Sequence, residues 1–235
     1  MPKSKRAKVI TLSKTEKKGK ELTLKLFANV RESIDKYQYC FVFSVENMRN
    51  TYLKEVRTEM VDSRLFFGKT KVMAKALGAS PEDEYQPNLS QLSKHLSGNV
   101  GLLFTSRPPT DIISHFATYI KSDYARAGTP SSRSFTVPSG VVYSRGGEVA
   151  QEDDIPLPHS LEPTLRALGM PTRMDRGKVM LEQDFEVCRE GQTLDAKQTR
   201  LLKQFGIQTA DFRVQLLAYW SAATNEVHEI DAMVE

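Results

Sequence analysis

Cysteine is scarce in this sequence, which has only Cys40 and Cys188 among its 235 residues. The two cysteines lie far apart and form no C-x-x-C pair, which argues against a disulfide framework and a structural zinc site. No apolar run approaches the roughly 18 residues that a membrane-spanning helix needs. No apolar segment follows the basic N-terminus, which excludes a secretory signal peptide. We therefore expect a protein of the reducing cell interior without a membrane partner.

Catalytic patterns are also missing. The four histidines stand in separate segments, with no H-x-x-x-H or H-E-x-x-H spacing, and neither G-x-S-x-G nor a paired-carboxylate cluster occurs. Gly68, Lys69 and Thr70 look like the end of a phosphate-binding loop, but the full pattern requires glycine at position 63, where Ser63 stands. We therefore expect no catalytic residue, no metal and no cofactor, and we favour a binding protein over an enzyme.

Positive charge is concentrated at the start of the chain. The first 20 residues hold eight basic side chains and one acidic one, a charge of +7, whereas the remaining 215 residues carry −3. Such a block serves as an arm for nucleic acid or as a nuclear import signal, and it is also typical of a solvated chain end. The cations that read as a nuclear address are Lys3, Lys5, Arg6 and Lys8.

Apolar periodicity predicts strands that alternate with helices in the first half of the chain. Strands are expected at 39–45, 64–67 and 100–104. Helices are expected from residue 16 to Ile34, from Tyr52 to Met60, from Val72 to Leu77 before Gly78, after Asn88 as N-cap, and from Ile112 to Ile120. This order predicts an α/β fold, a three-layer, sandwich-like domain with a mixed sheet that includes some parallel pairing.

The composition changes at Asp123, where a stretch rich in glycine, proline, serine and threonine begins. Short strands at 141–143, 178–181 and 185–188 and one helix at 161–168 predict a small inserted α+β module without a basic cluster. Asp195 then caps a helix, and 214–219 returns as a strand. The predicted division is a basic arm at 1–20, an α/β domain at 21–124 and 196–235, and the inserted module at 125–195.

Gly68 to Thr70 retain a physical significance without a phosphate-binding loop. A helix N-terminus presents free N–H donors and a partial positive charge, so an anion can bind there. Arg64, Lys69, Lys71 and Lys75 lie nearby in sequence, and a nucleic-acid phosphate would be a natural occupant. The alternative is that Gly68 only permits the turn and that the cations solvate the helix.

Several motifs together resemble the ribosomal stalk-base protein family of the large subunit. The resemblance is carried by Asn47-Met48-Arg49-Asn50, Arg57, residues 64–71 and 75–78, and it continues through 99–104, 135–138, 168–172 and 199–205. It covers roughly residues 20–230. Stalk-forming members continue into a helical spine and an acidic tail, whereas this chain stops at Glu235 and carries a basic arm. The resemblance therefore implies an assembly factor that does not bind stalk dimers.

The implied function is binding of large-subunit ribosomal RNA (rRNA) at the GTPase-associated centre of the pre-ribosomal particle, until the mature stalk protein replaces the factor. An RNA-processing or mRNA-decay enzyme is the alternative. The implied partners are a neighbouring stalk-base ribosomal protein and a phosphatase-like release factor. The implied location is the nucleus and nucleolus, with passage to the cytoplasm. The expected RNA-binding residues are Asn47, Arg49, Asn50, Lys54, Arg57, Arg64, Gly68, Lys69, Lys71 and Lys75.

Overall fold

A computed structural model describes residues 19–230, which form seven α-helices and eleven strands. In chain order these are α1 Lys20–Lys36, β1 Tyr39–Glu46, α2 Asn50–Glu59, β2 Arg64–Phe67, α3 Thr70–Leu77, α4 Leu89–Lys94, β3 Val100–Thr105, α5 Pro109–Thr118, β4 Ile120–Asp123, β5 Phe135–Val137, β6 Gly140–Val141, α6 Glu162–Ala167, β7 Thr172–Asp175, β8 Lys178–Leu181, β9 Phe185–Cys188, α7 Ala196–Gln204, β10 Ala210–Ser221 and β11 Glu226–Glu229. Within this range, no helix is long and apolar enough to cross a membrane.

The fold is α/β, as predicted. The largest sheet has six strands in the order β11-β10-β1-β3-β2, with β4 paired to β10. Two smaller sheets contain β5-β9 and β6-β8-β7. The pairings of β2 with β3, of β10 with β4 and β11, of β5 with β9, and of β8 with β6 and β7 are all antiparallel. The expected parallel pairing is not among these six.

The chain divides into two compact units. Within the described range, the first contains residues up to Val42, Asp62–Arg107 and the segment from Leu217, and the second contains Phe43–Val61 and Pro108–Leu216. The domain boundaries inferred from composition, at residues 125 and 195, stay a prediction.

The core of the first unit lies between strands and the helices α1, α3 and α4. Every residue of β3 is buried, as expected for a strand that is covered on both faces. Trp220 is fully buried in the same core, and its indole Nε1 donates a hydrogen bond to the Pro87 carbonyl at 3.1 Å. Burial of each large apolar side chain here contributes about 1.5–3 kcal/mol.

The end of α3 depends on a close backbone approach. Gly78 has φ +119°, and a Cβ atom at this position would lie 2.6 Å from the Cα of Glu84. Glu84 in turn accepts hydrogen bonds from the amides of Asn88 and Ser90, both at 2.9 Å, at the start of α4. Hydrogen bonding, chiefly from Ser90, lowers the pKa of the Glu84 carboxyl. Asn88 occupies the predicted N-cap position, but the carboxylate of Glu84 does the capping.

The core of the second unit is built around α7. Leu201, Leu202 and Phe205 pack in one apolar cluster with residues of β5, β8 and β9. The helix begins with a capping box, since Asp195 accepts from the amides of Lys197 and Gln198 while the side chain of Gln198 accepts from the amide of Asp195. The predicted cap at Asp195 is confirmed.

The structure corrects one element boundary and adds strands that the sequence analysis did not predict. Ile120 was expected in a helix, but α5 ends at Thr118 and Ile120 begins β4, where it pairs with Arg213 of β10. The additional strands are β4, β5, β7 and β11. Most of their residues are exposed, with β5 the exception, and none is longer than four residues, so they carry little apolar alternation.

Candidate nucleic-acid interface

The ten predicted RNA-binding residues fall into two groups, one in each compact unit. The second unit holds Asn47, Arg49, Asn50, Lys54 and Arg57, and the first unit holds Arg64, Gly68, Lys69, Lys71 and Lys75. The predicted nuclear address, Lys3, Lys5, Arg6 and Lys8, lies outside the described residues.

The turn before α2 is held in place by its own polar side chains. Asn47 has φ +47°, and its side-chain amide donates to the Asp211 carbonyl at 2.8 Å. The Arg49 guanidinium lies 2.6 Å from the Asp123 carboxylate and donates to the Tyr124 carbonyl at 2.6 Å. The charge of Arg49 is therefore already compensated within the protein.

The exposed side of α2 presents the remaining residues of this group. Asn50, Lys54 and Arg57 are exposed and recur at helical spacing, so they share one side of the helix. Their side chains have no ion pair or hydrogen bond within the described residues.

The acidic residues of α2 lie elsewhere on the helix. Glu55 accepts from the Tyr119 hydroxyl at 3.4 Å, and Glu59 lies 3.5 Å from His115. Burial, together with these two carboxylates, raises the pKa of Tyr119 to about 12, so its hydroxyl remains a donor. The carboxylates of α2 are thus engaged by α5 and the residue after it, whereas the cations remain available to a ligand.

In the first unit, Arg64 is engaged with its neighbours. Its guanidinium lies 3.4 Å from the Glu32 carboxylate and 5.2 Å from the centre of the Phe66 ring. An exposed ion pair of this length contributes little to stability. Arg64 can therefore exchange Glu32 for a phosphate at small cost.

The start of α3 is open. Gly68 has φ +94° and Lys69 has φ +48°, and no side chain caps the helix. The Lys69 ammonium donates to the Thr23 hydroxyl at 2.8 Å. A groove of about 410 Å³ lies between this turn and Gly98–Asn99, and no carboxylate lines it. The free amides of the first turn and the lysines make this groove attractive to an anion.

Lys71 and Lys75 complete the group on α3. Both are exposed, stand four residues apart on one helix side, and have no partner among the described residues. Of the ten predicted residues, Asn50, Lys54, Arg57, Lys71 and Lys75 thus present free polar or charged groups, whereas the side chains of Asn47, Arg49, Arg64 and Lys69 already have partners within the chain.

Sequence reasoning missed a third set of cations, on α7. Lys197, Arg200 and Lys203 are exposed at spacings of three residues, while Leu201 and Leu202 between them are buried. This spacing was the available signal.

The described residues contain no cluster of three or more His, Cys, Asp or Glu side chains that could hold a metal ion. Three histidines each lie beside one carboxylate: His95 is 3.6 Å from Glu229, His115 is 3.5 Å from Glu59, and His228 is 3.9 Å from Glu226. Cys40 and Cys188 are buried and unpaired, and burial raises the pKa of the Cys40 thiol.

Two family descriptions match the chain in succession. Residues 18–121 match the family described as "Ribosomal protein L10", and residues 125–207 match the family described as the insertion domain in the 60S ribosomal protein of that kind. The second match includes α7, in agreement with the packing of that helix on the core of β5, β8 and β9.

Curated relatives resemble the chain over nearly its whole length. Ribosome assembly factor mrt4 of Neurospora crassa is 56% identical over 98% of this chain and 94% of the relative. The factor of the same name from Saccharomyces cerevisiae is 43% identical over 100% of both chains. Large ribosomal subunit protein uL10 of Thermococcus sibiricus is 26% identical over 76% of this chain and 51% of its own length. The chain therefore belongs to the Mrt4 family of ribosome assembly factors, which is related to ribosomal protein uL10.

Proposed function

We propose that this protein binds large-subunit rRNA at the GTPase-associated centre of pre-ribosomal particles and holds that site until the mature stalk protein replaces it. The observation that carries the proposal is the set of exposed cations on α2 and α3 that have no acidic partner among the described residues. These are Lys54, Arg57, Lys71 and Lys75.

Unpaired cations on short, well-packed helices suit RNA phosphates. An exposed ion pair inside the protein would have to be broken before a phosphate is bound, whereas these four side chains need no such step. Leu53 and Val56 fix α2, and Met73 and Leu77 fix α3, because all four are buried. The cations are therefore held on rigid supports and read the shape of a folded RNA more than its sequence.

The proposal gives Asn47 and Arg49 a different role from that of phosphate ligands. Their hydrogen bonds to Asp211, Asp123 and Tyr124 fix the turn from which α2 starts. We assign them to positioning the helix, and we assign phosphate contact to Lys54 and Arg57.

Relatedness to uL10 supports the exchange step. A factor and a ribosomal protein with the same RNA-binding fold compete for one RNA site, so that only one can occupy it. The proposed partners are a neighbouring stalk-base ribosomal protein and a phosphatase-like release factor. The proposed location is the nucleus and nucleolus with passage to the cytoplasm, with Lys3, Lys5, Arg6 and Lys8 as the import signal.

The test is a salt-titrated binding assay with the GTPase-associated segment of rRNA and an unrelated structured RNA of equal length. The variant Lys54→Glu/Arg57→Glu removes two phosphate contacts, so we expect about 30-fold weaker binding near 0.15 M salt and a salt slope smaller by about two. Thermal unfolding should stay nearly unchanged, because both side chains are exposed.

Lys178→Glu is the matched control, because Lys178 is an exposed, unpaired cation in the same unit as α2. It should change the affinity little. Equal loss in the control and the double variant, or equal binding of both RNAs at every salt concentration, would contradict the proposal.

The proposed role involves no chemical step. Pure protein incubated with capped RNA and Mg²⁺ or Mn²⁺ should therefore leave the RNA intact. RNA cleavage or decapping that a single carboxylate substitution abolishes would support the enzyme alternative instead.

A further inference from the structure

The exposed side of α7 differs from the rest of its unit in its charge pairing. The arginines in ion pairs within the second unit are Arg133 with Glu148, Arg166 with Glu162, Arg173 with Glu182, Arg189 with Glu186 and Arg213 with Asp211. The cations of α7 have no such partner among the described residues; these are Lys197, Arg200 and Lys203. Charge is therefore left uncompensated at this helix while it is compensated at its neighbours.

These cations are held firmly. The capping box of Asp195 and Gln198 satisfies the first turn of α7, and Leu201, Leu202 and Phe205 anchor the opposite side in the core. Arg200 and Lys203 therefore project from a fixed support rather than from a mobile loop.

Arg200 and Lys203 form one wall of a groove. The groove has a volume of about 590 Å³ and lies entirely within the second unit. Thr51 and Tyr52 of α2 form another wall, and residues 123–127 contribute the remainder. The groove thus begins at the first turn of the helix that carries Lys54 and Arg57.

The groove is strongly basic. Its lining includes Arg49, Arg126, Arg200 and Lys203, and Asp123 is its only carboxylate among the described residues. Arg49 already neutralises Asp123 at 2.6 Å, and Arg126 donates to the Met48 carbonyl at 2.8 Å. Arg200 and Lys203 are therefore the cations free to accept a new anionic partner.

The lining also favours nucleic acid over a protein. Protein interfaces are usually anchored by large apolar side chains in a desolvated centre. The large exposed apolar residues of the described chain are Leu22, Leu24, Val61, Ile120, Val149, Ile155 and Met174, and none of them lines this groove. Threonine hydroxyls and tyrosine rings stand beside the cations instead, and these groups suit phosphate, ribose and base contacts.

We propose that the groove between α2 and α7 binds a second segment of RNA backbone, with phosphates contacted by Arg200 and Lys203. This inference rests on the proposed function, because the ligand is the same kind of RNA. It extends the interface from the α2 cations onto a helix that packs with the inserted module.

The test uses the full chain, the GTPase-associated rRNA segment and the single variants Arg200→Glu and Lys203→Glu. Each variant should bind about fivefold more weakly near 0.15 M salt and lower the salt slope by about one. Arg200→Lys keeps the charge and should retain most of the affinity. The thermal unfolding midpoint of each variant is measured alongside, and the neutral change Lys203→Gln replaces any variant that fails to fold.

Lys178→Glu again controls for a general charge effect, and equal weakening in this control would overturn the inference. If Lys54→Glu/Arg57→Glu weakens binding while Arg200→Glu and Lys203→Glu do not, the groove inference fails and the proposed function stands. If none of these variants weakens binding, both fail. Unchanged RNA affinity with reduced incorporation into pre-ribosomal particles would assign the groove to a protein partner and also overturn the inference.

Discussion

Helices α3 and α7 begin in opposite ways. At α7 the side chains of Asp195 and Gln198 satisfy the amides and the backbone of the first turn. At α3 no side chain caps the helix, and Gly68 and Lys69 both adopt left-handed conformations before it. Both helices nevertheless expose cations that lack partners within the described range.

The comparison separates two ways of meeting an anion. An α7 start whose amides are already bonded leaves only side chains for a ligand. The α3 start leaves amides open and places a lysine in a conformation that costs about 1 kcal/mol for a residue with a Cβ atom. Strain of this kind is typical of binding sites, where stability is exchanged for a preformed arrangement.

The largest effect should appear where the two helices end. Gly78→Ala places a Cβ 2.6 Å from the Glu84 backbone, whereas Gly206→Ala meets the flexible guanidinium end of Arg145 at 2.9 Å. We expect Gly78→Ala to lower the free energy of unfolding by about 3 kcal/mol and Gly206→Ala by about 1 kcal/mol. Urea unfolding measures both, and equal losses would show that the 83–84 backbone shifts easily.

Removal of the α7 cap should have an intermediate effect. Asp195→Ala deprives the amides of Lys197 and Gln198 of their acceptor, so the free energy of unfolding should fall by about 1 kcal/mol. Asp195→Asn is the control, because asparagine caps about as well as aspartate. If both variants lose equal stability, the charge of Asp195 matters rather than its hydrogen bonds.

The smallest effect on stability, and one of opposite sign, should appear at the start of α3. Lys69→Gly relieves the left-handed strain and should raise the free energy of unfolding by about 0.5 kcal/mol, after the entropy cost of glycine. The same change removes a cation and should weaken RNA binding about fivefold near 0.15 M salt.

Lys75→Ala is the companion variant, since Lys75 lies within α3 at an ordinary helical position. It should weaken RNA binding without the gain in stability. If Lys69→Gly is destabilising, its bond to Thr23 outweighs the strain, and the start of α3 is built for stability rather than for a ligand.

Apolar patterning was sufficient for the buried elements. Strand β2 has the predicted bounds, β1 and β3 extend one residue beyond them, and Gly78 and Asp195 stand where helix ends were expected. These elements contact the core, so their side chains are selected by period and size. Strands β4, β7 and β11 are mostly exposed, so their pairing leaves no apolar pattern in the sequence.

The candidate site was predictable as a set of charges but not as a set of free charges. Arg49 and Lys54 look alike in the sequence, yet Asp123 compensates only Arg49. That pairing depends on the contact between the turn before α2 and the end of β4, which residue types alone do not specify. The α7 cations were missed for the same reason, because their groove requires α2, which is distant in sequence.

The burial of Trp220 has a spectroscopic consequence. It is the single tryptophan of the chain and lies fully buried in the first unit. Intrinsic fluorescence excited at the indole band therefore reports the packing of that unit, whereas circular dichroism reports both. Coincidence of the two unfolding curves would identify one cooperative transition. Separated curves would show, without any label, which unit each substitution affects.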